Sequence, residues 1–68
     1  KVVNVDCTLC LEKPKVNPHI PAMKKSLAPL MDITEEEVSI KATTTETLGY
    51  VGREEGVNAM AVVLIAKT

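Results

Sequence analysis

"VNVDCTLCLEKPKVNPHIPAMKKSLAPLM", Val3 to Met31, changes its hydrophobic period once, and that change decides the fold class. Val3, Val5, Cys7, Leu9 and Leu11 alternate with Asn4, Asp6, Thr8 and Cys10, the period of a strand with one face buried. Two prolines in "EKPKVNP", Glu12 to Pro18, break the pattern and predict a loop. Beyond them Ile20, Met23, Leu27 and Met31 recur at spacings of three and four, the apolar stripe of a helix, with Lys24 and Lys25 on its polar side. Pro29 has no amide hydrogen to donate and is expected to disturb the last turn.

C-terminal to this segment, Thr34 and Glu37 have the spacing of a capping box, which predicts one more helical turn in "TEEE". Val38, Ile40 and Ala42 then alternate with Ser39, Lys41 and Thr43 as a second strand. Val57 to Ala66 is a nearly unbroken apolar run rich in Val, which predicts a third strand buried on both faces. The order β-α-β-β predicts an α+β fold with helices packed on one face of the sheet.

At 68 residues the chain is at most one domain. A chain of that size buries only about 60% of the surface its unfolded form exposes, so its core is marginal by itself. Disulfides, metals or partner subunits normally make up the difference, and association of subunits is expected here. Tyr50 is the one aromatic residue, which argues against base-stacking recognition of nucleic acid. Eight basic and nine acidic side chains leave a net charge of -1, without general attraction for nucleic acid or an anionic membrane. The apolar runs are too short for a membrane-spanning helix, and "KVVNVD" lacks the pattern of a signal peptide. The expected location is the cytoplasm, or a plastid-type organelle in a eukaryote. A start on a strand pattern without Met suggests a fragment or a processed product.

Cys7 and Cys10 have the C-x-x-C spacing of metal and redox sites. On a strand, however, side chains three positions apart point to opposite faces, so the two cannot share a ligand. Two thiols with His19 also fall short of the four ligands of a structural zinc. One thiol in the core and one on the other face, both reduced, is the expected outcome.

The residues that carry chemistry fall at strand ends and in connections, where a rigid scaffold usually presents them. In "IKATTTETLGYVGREEG", Ile40 to Gly56, Thr43, Thr44 and Thr45 follow the second strand, and their hydroxyls donate to phosphate without adding charge. Glu46 beside phosphates makes sense with a cation between them, and magnesium takes one or two carboxylates together with phosphate oxygens. Arg53 offers a planar fork of donors, and Gly49, Gly52 and Gly56 let backbone approach closely. Diphosphate binding with a metal is the chemistry these types imply. Threonine is also a good strand residue and Gly with Arg is common in turns, so each motif alone has an ordinary structural reading.

"PKVNPHIPAM" followed by "IKATTTETLGYVGREEGV" closely resembles the C-terminal part of the 2-C-methyl-D-erythritol 2,4-cyclodiphosphate synthases, and the match runs from Val3 to Lys67 without a gap. The resemblance implies that residues 1–68 are the C-terminal part of a single synthase domain, whose N-terminal part with its zinc ligands is absent from this chain. His19 matches none of those ligands. The implied reaction cyclises 4-diphosphocytidyl-2-C-methyl-D-erythritol 2-phosphate and releases CMP, in non-mevalonate isoprenoid biosynthesis. The implied cofactors are zinc and a second divalent ion, magnesium or manganese. Thr43, Thr44 and Thr45 would hold the α-phosphate, with Thr44 nearest the transition state and therefore catalytic, and Glu46 would hold magnesium.

By the same resemblance Leu11, Glu12, Lys13, Pro14, Lys15, Val16 and Asn17 enclose the cytosine of the substrate or CMP through backbone groups. Asn17 stands where a hydrophobic residue is common in the family. The family's homotrimer is implied as well, with Tyr50, Arg53 and Glu55 lining a cavity on the three-fold axis that holds an isoprenoid diphosphate in some members. Tyr50 replaces the more usual Phe. The 68 residues alone are expected to be inactive as a lyase. A non-catalytic phosphate or nucleotide-binding module, or a structural oligomerisation domain, is the alternative, and stoichiometric zinc in the intact protein separates the cyclase from both.

Overall fold

The computed structural model describes residues 1–67. Strand β1, Val2–Cys10, is the centre of a three-stranded sheet. It pairs in parallel with β2, Val38–Thr43, and antiparallel with β3, Asn58–Ile65, giving the order β2-β1-β3. Helix α1, Ile20–Leu30, is the crossover that a parallel pair requires, and it packs against β2. A 3-10 turn at Asn17–His19 leads into α1, a second at Glu35–Glu37 precedes β2, and a four-residue helix α2, Gly49–Gly52, lies between β2 and β3. The β-α-β-β order and the helix over one face are as the periodicity predicts. The sheet is mixed, and the parallel pairing of β1 with β2 is a feature that periodicity does not report.

Partners across a sheet share a face, so Val5, Val38 and Val63 stand on one side, followed by Cys7, Ile40 and Ala61. Val5 and Val38 are buried on that side, whereas Asp6 and Ser39, one position on, are exposed. Lys41 and Asp6 meet at 3.5 Å on the far face, as an exposed ion pair of small energetic weight. Because β1 runs through both cysteines, Cys7 and Cys10 point to opposite faces, and both are free thiols.

The helix stripe is half-buried at Ile20, Met23, Leu27 and Met31, and the closest packing is made by Ala28, only 2% exposed. A small residue at that position lets α1 approach the sheet. Pro29 lies inside α1 as expected, and the helix ends immediately after it. Ile33 N-H donates to the Ala28 carbonyl at 3.1 Å and Asp32 N-H to the Pro29 carbonyl at 3.2 Å, the paired closing bonds of a Schellman turn. Asp32 takes the left-handed position, φ 55, that glycine usually fills. At the next turn the Glu37 carboxylate accepts from both the Thr34 N-H, 2.8 Å, and the Thr34 hydroxyl, 3.0 Å, and these bonds hold its pKa below the ordinary glutamate value.

The last strand departs from expectation. Its apolar run predicts burial on both faces, yet every residue of β3 is exposed, including Val62 at 72% and Ile65 at 70%. β3 is an edge strand, and α1 lies over β2 at the opposite edge of the sheet, so nothing in residues 1–67 covers it. The buried apolar side chains among the described residues are Val5, Ala28, Val38 and Val51, a core as small as the chain length implies.

Candidate functional site

Parallel pairing brings the C-terminal ends of β1 and β2 together. Cys10 pairs with Thr43, and the Leu11 N-H continues the ladder by donating to the Thr43 carbonyl at 2.9 Å. The chain leaves both strands at the same sheet end, so the proline loop and the threonine turn emerge side by side. Ligands in α/β sheets bind at this place, outside the carboxyl ends of parallel strands. β3 runs the other way and starts at the same end, with Asn58 opposite Cys10, which places α2 and the Arg53–Gly56 segment there too.

A cleft of about 240 Å³ opens between the two loops, lined by Leu11, Glu12, Pro14, Lys15, Val16, Asn17, Ala42, Thr43 and Thr44. The Lys13–Pro14 peptide in its wall is cis. Small-molecule sites usually enclose about 300–1,000 Å³, so this cleft lies below that range and has room for only part of a larger ligand. Of the residues singled out in the sequence, six of the proline loop and two of the three threonines share this wall. Lys13, Thr45, Glu46, Tyr50 and Arg53 lie outside it. Ala42, which the sequence reading passed over, is inside, and its position before Thr43 on β2 is the signal that could have found it.

The three threonines have different work. Thr43 Oγ1 donates to the Thr44 carbonyl at 3.3 Å. Thr44 Oγ1 accepts from the Glu46 N-H at 3.3 Å, which leaves the Thr44 hydroxyl hydrogen without an acceptor among the described residues. Thr45 is turned inward: its hydroxyl donates to the Leu48 carbonyl at 2.7 Å, and its N-H donates to Glu12 Oε1 at 2.8 Å. Glu46 and Thr47 follow with φ 54 and 65, left-handed values that side chains seldom adopt. Two such residues in succession reverse the chain sharply after β2, with the Glu46 side chain exposed and in no ion pair among the described residues.

The reversed chain then packs against α2. A Cβ added at Gly52 would fall 2.0 Å from the Thr47 carbonyl carbon, so only glycine admits this approach. Val51 is buried and anchors α2, while Tyr50 is half-exposed, with its ring against Gly56 and its hydroxyl accepting from Asn58 Nδ2 at 3.4 Å. Arg53 Nη2 lies 3.1 Å from Glu55 Oε1 in an exposed pair that leaves the rest of the guanidinium fork available. Among the described residues no three His, Cys, Asp or Glu side chains converge as a metal site. Nor, among the described residues, is any helix long and apolar enough to cross a membrane.

A model of the YgbB family matches residues 1–66. The chain is 59% identical over 64 residues to the 2-C-methyl-D-erythritol 2,4-cyclodiphosphate synthase of Parabacteroides distasonis, covering 94% of this chain and 40% of that one. It is 60% identical over 67 residues to the synthase of that name from Cytophaga hutchinsonii, covering 98% of this chain and 42% of that one. The chain thus spans about two fifths of the length of the curated relatives it matches. Among solved structures it superposes on the synthase of Plasmodium vivax with a TM-score of 0.91 at 32% identity, over 100% of this chain and 46% of that one. A complex of IspF from Plasmodium falciparum with CDP gives a TM-score of 0.90 at 28% identity, over 100% of this chain and 44% of that one. These matches settle the family: the chain belongs to the YgbB family, that of the 2-C-methyl-D-erythritol 2,4-cyclodiphosphate synthases.

Proposed function

We propose that residues 1–68 are the C-terminal part of a synthase domain and carry the nucleotide side of its active site. The whole protein then converts 4-diphosphocytidyl-2-C-methyl-D-erythritol 2-phosphate into the 2,4-cyclodiphosphate and CMP, a phosphorus-oxygen lyase reaction of non-mevalonate isoprenoid biosynthesis. The observation that carries this reading is the single cleft in which the proline loop meets Thr43 and Thr44 at the ends of two parallel strands. CDP bound to structural relatives supports a cytidine nucleotide as its occupant.

In the reaction an oxygen of the 2-phosphate bonds to the β-phosphorus. The bond from that phosphorus to the bridging oxygen breaks, and CMP leaves with the oxygen and its charge. Phosphoryl transfer of this kind depends on alignment and charge stabilisation more than on covalent help. Loop 11–17 holds the cytosine through backbone groups, which fixes one end of the diphosphate. Lys15 adds a positive charge at the cleft wall. The Thr44 hydroxyl, with its hydrogen unclaimed, donates to the α-phosphate as charge accumulates there. Thr43 and Thr45 shape the turn that presents it.

The exposed Glu46 carboxylate fits one ligand position of magnesium, or of manganese, next to substrate phosphates. Such an ion, when bound, neutralises diphosphate charge. A catalytic zinc does not fit these residues, because Cys7 and Cys10 face apart and His19 stands at the start of α1. Its ligands belong to the remainder of the synthase domain, and the 68 residues alone bind nucleotide without turning it over.

In this reading the protein is a homotrimer in which a neighbouring subunit completes the shallow cleft, while the apolar faces of β3 are left for the remainder of the domain to cover. Tyr50 and Arg53 then approach the three-fold axis, where an isoprenoid diphosphate finds an arginine and an aromatic ring. Sedimentation of the intact protein at micromolar concentration should show one species of three times the protomer mass, and a stable active monomer would contradict the assembly. The reaction itself is tested by incubating the intact protein with substrate, zinc and magnesium. Release of CMP in step with the cyclic diphosphate is expected, and CMP binding without turnover would reduce the protein to a nucleotide-binding module.

A further inference from the structure

Glu12 lines the cleft, but its contacts are with the opposite loop. Its Oε1 accepts from the Thr45 N-H at 2.8 Å and touches the Thr45 hydroxyl at 3.2 Å, across a separation of 33 residues in a partly buried setting. A hydroxyl has one hydrogen, and that of Thr45 is directed to the nearer acceptor, the Leu48 carbonyl at 2.7 Å. The firm bond of the carboxylate is therefore the one to the backbone N-H. It lies one step beyond the last ladder bond, Leu11 N-H to the Thr43 carbonyl, and extends the connection between the strands into their loops.

From this geometry we infer that Glu12 is a positioning residue, which sets the spacing between the base-binding loop and the phosphate-binding turn. The inference rests on the nucleotide reading of the cleft. A ligand that reaches from one loop to the other must match that spacing, whereas a ligand confined to the proline loop is indifferent to it. One oxygen receives both Thr45 contacts, so an amide oxygen in the same place can replace it, and the negative charge is not required. Bonds of this kind, from a backbone N-H to a carboxylate, are among the stronger ones in proteins.

The test uses the intact protein with Glu12→Ala and Glu12→Gln, and measures calorimetric affinity for cytidine and for CDP together with amide exchange. Glu12→Ala should weaken CDP about tenfold to a hundredfold and cytidine by less than about threefold. Exchange should quicken at residues 44–48 and stay unchanged in β1 and β2. Glu12→Gln should recover most of the CDP affinity and the slow exchange. Equal weakening of cytidine and CDP would mean that Glu12 belongs to the base pocket itself and would overturn the inference. An Ala variant with wild-type exchange at residues 44–48 would do the same, as would a Gln variant no better than Ala. Should Glu12→Ala quicken exchange throughout the chain, the Gln variant alone decides, since loss of CDP affinity there contradicts the spacing role. A wild-type protein that binds neither cytidine nor CDP defeats the nucleotide reading instead, while the exchange data still report on the bond between Glu12 and Thr45.

Discussion

Thr44→Ala in the intact synthase is expected to lower turnover about ten- to a thousandfold while CMP affinity changes by no more than a few fold. The range is that of removing one preorganised donor from a group that gains charge in the transition state. The two effects separate because the bound product already carries its charge, whereas the reacting diphosphate redistributes charge as the bridging bond breaks. Thr44 is the candidate rather than its neighbours because Thr43 donates to the Thr44 carbonyl and Thr45 donates to the Leu48 carbonyl. Among the described residues Thr44 spends only a lone pair, on the Glu46 N-H. Thr44→Ser retains both the lone pair and the hydrogen and should restore most of the rate. Steady-state kinetics on the two variants decide the matter, and an Ala variant with near wild-type turnover would remove Thr44 from the chemistry.

Gly52→Ala should cost about 3 kcal/mol or more of stability, with much of the activity. Overpacking in a closed space typically costs about 1–3 kcal/mol, and here the obstacle is backbone, which has no rotamer to change. The new methyl would overlap the carbonyl group of Thr47, so α2 has to move away from the turn that carries Thr44 and Glu46. Gly49→Ala is the informative control. A Cβ there meets nothing within 4 Å, and the penalty is confined to holding alanine at φ 71, about 1–2 kcal/mol. Chemical denaturation of the intact protein should therefore rank Gly52→Ala well below Gly49→Ala. The reverse order would show that α2 and the turn do not pack as closely as the structure has them.

The strands, the helix, its early end at Pro29 and the turn at Glu37 are all legible in the sequence, because each depends on residues within a few positions of one another. Val5, Cys7 and Leu9 need only alternate for β1 to have an inner face, and Thr34 needs only Glu37 three residues on. The chemical types of the site are legible as well, since threonine beside glutamate is an unusual end for a strand. Its geometry is not. Which threonine keeps a free hydrogen depends on left-handed backbone at Glu46 and Thr47, and neither residue announces that conformation.

Sequence by itself determined the elements, the family and the chemical types gathered at the candidate site. Tertiary structure decided where those elements lie. The apolar run of β3 reads as an interior strand, but burial is a property of neighbours, and none of the described residues covers either of its faces. Parallel pairing of β1 with β2, set by the crossover through α1, likewise carries two loops to one end of the sheet. The Glu12 carboxylate then reaches Thr45 across 33 residues. Periodicity records which way a side chain faces along its own strand, and contacts between strands exist only once the chain has closed on itself.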